Sequence, residues 1–458
     1  MSGPLRLVPG DGDTLSASLA APLPRERRRP GWAKDPADEL AERLFEPIAS
    51  AVHPYEVAAL LESDGLTPDQ IGERYGRPDL FTLAEDLYER VPRHYPRPPA
   101  AVDPWRADPV RCVLRSLVFA LPGLAYVLGG GLWHGRSEIA GLVVAGLAAW
   151  AWNQGLSHRA HVRLAAGGRA AAGRTLAVGA PAGALVASAA GLAVAGPGPG
   201  ALFAVGQSCY LAAASVLLVL GRERLLLASL LPVAAGAAAT AAGTPPVPPA
   251  VALLLATVLL AAAAATHRVR SALRSGPAAG DDGGPGLPRS LPYGLFGLGA
   301  GVLAALMGAA DPALVVVLTL SMGYAEWLLY RFRSLAVGAL RNSTGMSDFR
   351  LRAAGALVRC LCGYSALLAA GALLLGRGPA ALLSLLTLGV VLWTALLLQA
   401  FALPWVPALV TLLAAAAQAG AAAAGLPQDT VRTVCGTAAT AVLVLTAVRR
   451  LCRPTAHR

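Results

Sequence analysis

Residues 381–403 read ALLSLLTLGVVLWTALLLQAFAL, a stretch without one ionisable side chain. About 20 apolar residues in helical form cross the hydrocarbon of a bilayer, and a lone segment there must be helical to satisfy its own backbone. Pro404-Trp405 interrupts the run, and 407–425 continues in the same composition. Working back towards the amino end, comparable runs lie near 355–376, 312–330, 291–309, 250–266, 225–243, 201–220, 175–196, 138–157 and 115–133. One more follows at 430–448. The expected fold is an all-α membrane protein of about twelve transmembrane helices, preceded by a small helical domain. Of 458 residues, 55% are hydrophobic and 14% charged, well short of the ~25% charge of a soluble domain.

The net charge of +11 comes from arginine, with Lys34 the single lysine. The arginines sit between the apolar runs, which is the positive-inside pattern and not a nucleic-acid groove. Arg159, Arg163, Arg169 and Arg174 follow the second run, Arg222 and Arg224 the fourth, and Arg268, Arg270, Arg274 and Arg289 the sixth. Arg331, Arg333, Arg341, Arg350, Arg352 and Arg359 follow the eighth, and Arg449, Arg450, Arg453 and Arg458 the last. The alternate loops hold little beyond Arg136, Arg377 and Arg432. This asymmetry predicts both termini on the cytoplasmic side of a plasma membrane. The Ala/Gly/Pro/Arg bias points to a GC-rich bacterial genome. No secretory signal opens the sequence, and the first apolar run reads as a retained anchor.

Ahead of the runs, 1–34 reads as a disordered tail and 35–92 as a cytosolic helical domain. Leu40, Leu44, Phe45 and Ile48 recur at helical spacing, and Thr67-Pro68-Asp69-Gln70 has the form of a capping box. Leu66 to Tyr88 has the outline of a helix-turn-helix, but Glu85, Asp86 and Glu89 would repel phosphate, so no nucleic-acid partner is expected. A cytosolic protein docking on 36–91 fits this domain better. A Pro-rich linker spans 93–111. The membrane part divides into lobe 1 (112–266), a cytosolic linker (267–290) and lobe 2 (291–450), with a tail at 451–458.

The lobes read as copies. Leu121-Pro122 pairs with Leu291-Pro292, Trp152-Asn153-Gln154 with Ala325-Glu326-Trp327, and Gly206 with Gly389. Gly243 pairs with Gly425, and His267-Arg268 with Arg449-Arg450. Parallel repeats of this kind place a substrate path between the halves.

An ionisable group inside a span costs about 2.5–3.5 kcal/mol on insertion scales, so Glu326 is the leading path residue. Its plainer reading is a surface carboxylate paired with Arg331. Asn153, Gln154, Gln207, Tyr210 and Gln399 complete the candidate path; each could equally be a hydrogen bond between helices. Asp311 reads as solvated in an outer turn. Cys360 and Cys362 diverge on a helix, and the six cysteines show no metal spacing. No His-Glu-x-x-His, Gly-x-Ser-x-Gly or phosphate loop occurs, so neither an enzyme nor a cofactor is expected.

Two six-span lobes, both ends inside, and Arg/Gly-rich amphipathic stretches after the second and eighth spans resemble the flippase superfamily of multidrug, oligosaccharidyl-lipid and polysaccharide exporters across 112–450. The resemblance implies alternating access that moves a lipid-linked or amphiphilic substrate through the bilayer. Such exporters hold several charged residues in the cleft, where this chain offers Glu326. The Gly/Asp/Arg signature of the major facilitators is missing, since 155–174 contains no Asp. The competing reading is a non-transporting scaffold whose amino-terminal domain recruits a cytosolic partner in envelope assembly or division.

Overall fold

The computed structural model describes residues 35–95, 105, 108–241, 243, 247–275 and 286–457. The tail at 1–34, most of the Pro-rich linker and the centre of the inter-lobe linker lie outside the described residues. Two compact units divide near residue 103.

The first unit holds α1 (Pro36–Arg43), α2 (Phe45–Ser50), α3 (Pro54–Ser63), α4 (Pro68–Tyr75) and α5 (Leu80–Arg90). Ile48, Val57, Leu61, Leu83 and Leu87 are fully buried at its centre. The periodicity from Leu40 to Ile48 suggests one helix. The chain instead breaks at Leu44, because Pro47 has no N–H to return to the Arg43 carbonyl. Caps set the other ends. Thr67 and Gln70 form a reciprocal capping box, Gly76 closes α4 at φ 63°, and Asp79 accepts from the Thr82 amide.

Arg90 ties this unit together by bonding Asp35 at 2.9 Å, Asp38 at 2.7 Å and Asp86 at 2.9 Å. Its own pKa is raised, first by the Asp86 hydrogen bond. Burial works against the charge on Asp86, but hydrogen bonds from Arg90 and Arg77 outweigh it and hold the carboxyl below its usual range. Backbone amides lower Asp35 and Asp79 as well.

The second unit is entirely helical among the described residues. Nine of its helices are long and apolar enough to cross a membrane, and two bent pairs raise the figure to 11. One of the nine covers 60 residues, Arg136–Ala195. At 1.5 Å per residue it would extend about 90 Å, three bilayer cores. It is a hairpin. Gly168, at φ 70° and ψ −166°, leaves helical geometry at its middle. A Cβ on Gly141 would lie 2.5 Å from that of Ala195, and one on Gly183 would lie 2.2 Å from Trp152. The Trp152 indole donates to the Gly179 carbonyl at 2.8 Å. These pairs run antiparallel about residue 168, so the segment is two spans and the total among the described residues is twelve.

The spans are α6 (Pro109–Leu128), α7 (136–167), α8 (169–195), α9 (Pro199–Val219), α10 (Glu223–Ser229 with Leu231–Thr240) and α11 (Pro248–Leu273). The second lobe has α12 (Leu287–Ala310), α13 (Pro312–Leu320 with Met322–Asn342), α14 (Met346–Leu374), α15 (Pro379–Ala400), α16 (Trp405–Ala423) and α17 (Gln428–Leu451). Both broken spans bend by 41°. In α10 Pro232 deprives the Ala228 carbonyl of its donor. In α13 the Ser321 hydroxyl donates back to the Leu318 carbonyl and also meets the Tyr364 hydroxyl at 3.0 Å.

Packing repeats between the lobes. In each, the first helix lies on the fifth, the fourth on the sixth, and the fifth on the sixth. Gly243 and Gly425 both adopt positive φ before the last helix of their lobe. Two expected pairings fare differently. Pro122 interrupts the middle of α6, whereas Pro292 lies in the second turn of α12. His267 and Arg268 lie inside α11 and not after it, and Arg449 and Arg450 likewise lie inside α17, so these two pairs still correspond. The arginines assigned to loops after the second and eighth spans also sit on helices, which run on past their apolar portions.

Two outcomes test these features. Residues 35–95 should keep full helicity above the unfolded carboxylate value of about 4 and lose it as pH falls through the depressed native values. Arg90→Leu should flatten that acid transition, read by circular dichroism. Gly183→Leu, forced against Trp152, should destabilise the purified protein by about 1–3 kcal/mol. Gly420→Ala, with open space around it, should leave the melting temperature in detergent unchanged.

Candidate functional site at the junction of the lobes

Each lobe presents its second helix to the first helix of the other. In one contact α7 lies against α12, and in the other α13 lies against α6. The α7–α12 contact is close because glycine lines it. A Cβ on Gly297 would lie 2.8 Å from the Gln154 side chain, and one on Gly301 would lie 2.8 Å from Leu147. Further along, His158 stacks on Tyr293 with ring centroids 3.8 Å apart and shares a 3.1 Å hydrogen bond with Ser290.

The α6–α13 contact carries charge. Arg111 and Arg115 are four residues apart on α6 and therefore share a face. Glu223 opens α10, where a carboxylate also suits the positive end of the helix. It accepts from Arg111 at 3.0 Å and from Arg115 at 3.2 Å. Arg115 then reaches across the lobes and donates from Nη1 to Glu326 on α13. Beside this bond the Gly323 amide donates to the Ser116 hydroxyl at 3.0 Å. A Cβ on Gly323 would fall 2.0 Å from the Cys112 carbonyl oxygen. The four charges sum to zero. That balance makes burial tolerable, because paired charges in a low dielectric offset much of their desolvation cost. Arg115 is 8% exposed and Glu223 7% exposed, so water screens that pair little, while Arg111 stands at the exposed edge of the cluster.

Glu326 therefore pairs with Arg115 and not with Arg331. Arg331 is five residues away on the same helix, but Arg115 is the guanidinium that the lobe contact brings to the carboxylate. Asp311 is likewise held: it caps α13 and bonds Arg377 at 2.6 Å.

The remaining candidates separate. Gln154 lies at the lobe contact against Gly297. Gln207 sits inside lobe 1 and donates to the Leu142 carbonyl at 3.3 Å, so it binds α9 to α7. Tyr210 is one turn further on α9. Asn153 is one turn before Ser157, whose hydroxyl meets that of Ser215 on α9 at 3.1 Å. Gln399 is buried near the end of α15 in lobe 2. The structure does not gather the six into one cluster. Four of them share a property: Asn153 Oδ1, Gln207 Oε1, Tyr210 Oη and Gln399 Nε2 are buried without a protein partner. Each such group costs about 1–3 kcal/mol unless water or a ligand supplies the bond.

Sequence reasoning missed Arg115 and Glu223. Glu223 lies between Arg222 and Arg224, which were read only as marks of the inner side. Arg115 stands inside the apolar run Cys112-Val113-Leu114-Arg115-Ser116-Leu117, and that exposed signal could have flagged it.

The architecture is similar to that of solved MATE transporters, members of the multidrug/oligosaccharidyl-lipid/polysaccharide flippase superfamily. One is an outward-facing multidrug resistance MATE family transporter, 13% identical with a TM-score of 0.44 over 76% of this chain and 97% of that one. A MATE structure in a bent conformation gives 11% and 0.46 over 76% and 98%. A superfamily transporter from Pyrococcus furiosus gives 12% and 0.41 over 75% and 98%. No protein-family model and no curated protein sequence matches the chain.

Removing the central guanidinium gives a direct measure of the cluster. Arg115→Ala should cost about 3–5 kcal/mol, because it strands Glu326 and leaves Glu223 only the more exposed Arg111. Glu326→Gln should cost less, since the amide oxygen still accepts a hydrogen bond. Adding Glu326→Met to Arg115→Met should recover part of the loss. Thermal unfolding in detergent across this double-mutant cycle reads the coupling; additive losses would contradict the inter-lobe bond.

Proposed function

We propose that this protein is an exporter or secondary transporter that moves a lipid-linked or amphiphilic substrate by alternating access, in a plasma membrane with both termini cytoplasmic. The observation that carries the reading is the single-file link of Arg115 to Glu326 across two similarly packed lobes. Lobes that rock must break this link on one face and leave its charges to be met by substrate, ion or water. Glu223 and Arg111 stay within lobe 1 and keep Arg115 oriented when Glu326 departs. Asn153, paired with Glu326 in the repeat, and its neighbour Gln154 carry amides on α7 where α13 carries the carboxylate. The two halves of the path are thus unlike in charge. The partnerless atoms of Asn153, Gln207, Tyr210 and Gln399 suit polar groups that bond to something transient.

The scaffold reading draws on one observation in the amino-terminal unit. Tyr55 and Phe81 are 64% and 56% exposed and meet edge to face at 5.8 Å, an aromatic pair in water on an acidic domain. Such a pair suits a protein partner.

Reconstitution into vesicles separates the two. Under the transport reading, protein-containing vesicles move a fluorescent amphiphile across the bilayer faster than protein-free ones. Glu326→Gln should lower that rate by about tenfold or more. Rates equal to empty vesicles, with a stable partner retained on residues 36–91, would instead favour the scaffold.

A further inference from the structure

We propose that lobe 2 contains a binding site for a chloride-sized monovalent anion, centred on Arg432. A cavity of about 30 Å³ opens between α12, α15, α16 and α17. A site needs about 10–15 Å³ on this measure to hold a water, so the space suits one halide or a pair of waters. Its polar lining is Arg432, Gln418, Ser384 and Thr387; the rest is apolar, including Leu303 and Val391.

The argument rests on how Arg432 is held. Its side chain is 17% exposed. Its two hydrogen bonds are both long, 3.4 Å to Asp429 and 3.4 Å to the Leu306 carbonyl. Its Nε is buried without a partner. Asp429 is 81% exposed and so spends its charge on water. Arg377 also lies on the arginine-poor side and its Nε likewise lacks a hydrogen bond, but its counter-charge is close and shielded: Asp311, 20% exposed, lies 2.6 Å away. Arg432 therefore carries a cation into a cavity with spare donors and weak compensation. Gln418 adds amide donors, and the Ser384 hydroxyl a third type. The Thr387 hydroxyl cannot add another, because it already donates to the Leu383 and Ser384 carbonyls. Guanidinium, amide and hydroxyl donors within apolar walls suit a large, weakly hydrated anion. Sulfate and phosphate, multiply charged and strongly hydrated, would lose more on entering apolar walls than one guanidinium returns.

The site is separate from the inter-lobe charge cluster and does not depend on transport. Purified protein in detergent is titrated with sodium chloride against sodium gluconate at constant ionic strength, and unfolding is followed by tryptophan fluorescence. Chloride and bromide should raise the melting temperature by several degrees with saturation, as a ligand of the native state does. Sulfate should not. Arg432→Gln should abolish the shift, and Gln418→Leu, which keeps the cation, should weaken apparent affinity about tenfold. Retention of radioactive chloride on the wild-type protein gives the same comparison without unfolding. A shift absent from wild type, unchanged in both variants, or matched by sulfate would overturn the proposal. A protein that binds chloride without moving an amphiphile would leave this site standing and remove the transport reading.

Discussion

Hydrocarbon offers no partner to a charge or to a bare peptide group, and this constraint shapes the second unit at every scale. It makes each crossing a helix and gathers the buried carboxylates Glu223 and Glu326 onto the arginines of α6. The same constraint explains why the cluster is balanced. Two guanidinium groups meet two carboxylates on three helices, and Arg115, which touches both carboxylates, is the member whose removal leaves Glu326 without its counter-charge.

The cluster also decides what the lobes can be to each other. Within lobe 1, Arg111 and Arg115 share Glu223, so α6 and α10 form one electrostatic body. Of the cluster's bonds among the described residues, the Glu326 bond alone crosses to lobe 2, with the Ser116–Gly323 hydrogen bond beside it. The connection is strong while intact and local enough to be lost in one step. An apolar interface of similar area would instead weaken gradually as it opened. Gln154 shows that the opposite contact is closed without ions, by side-chain packing on glycine.

The number of spans and their division into lobes were legible because apolar runs and arginine clusters alternate at bilayer spacing. The hairpin of α7 and α8 was readable too, although the helix scarcely pauses at Gly168. The helix ends were less legible, since arginine-bearing segments such as 158–174 and 331–342 remain helical beyond their apolar portions. The core of the site was only half visible. Glu326 stands out as a carboxylate in an apolar helix, but its partner lies 211 residues away on α6. Glu223 was hidden by its neighbours, because arginines on either side make a carboxylate look like part of a surface loop. Asp311 was misread for a similar reason: its arginine, Arg377, comes from a different turn. Ion pairs that close through space leave no periodic trace in one chain.

Gly297 and Gly301 leave the α12 backbone bare where the Gln154 and Leu147 side chains of α7 rest on it. Side chains that interlock act like gear teeth, and turning one helix against the other then requires many rotamers to change together. At these glycines only α7 bears teeth, since α12 presents bare main chain to Gln154 and Leu147. Such a seam can serve as a pivot on which the lobes tilt through small angles at little cost in packing, and the elements farthest from it then travel the greatest distance.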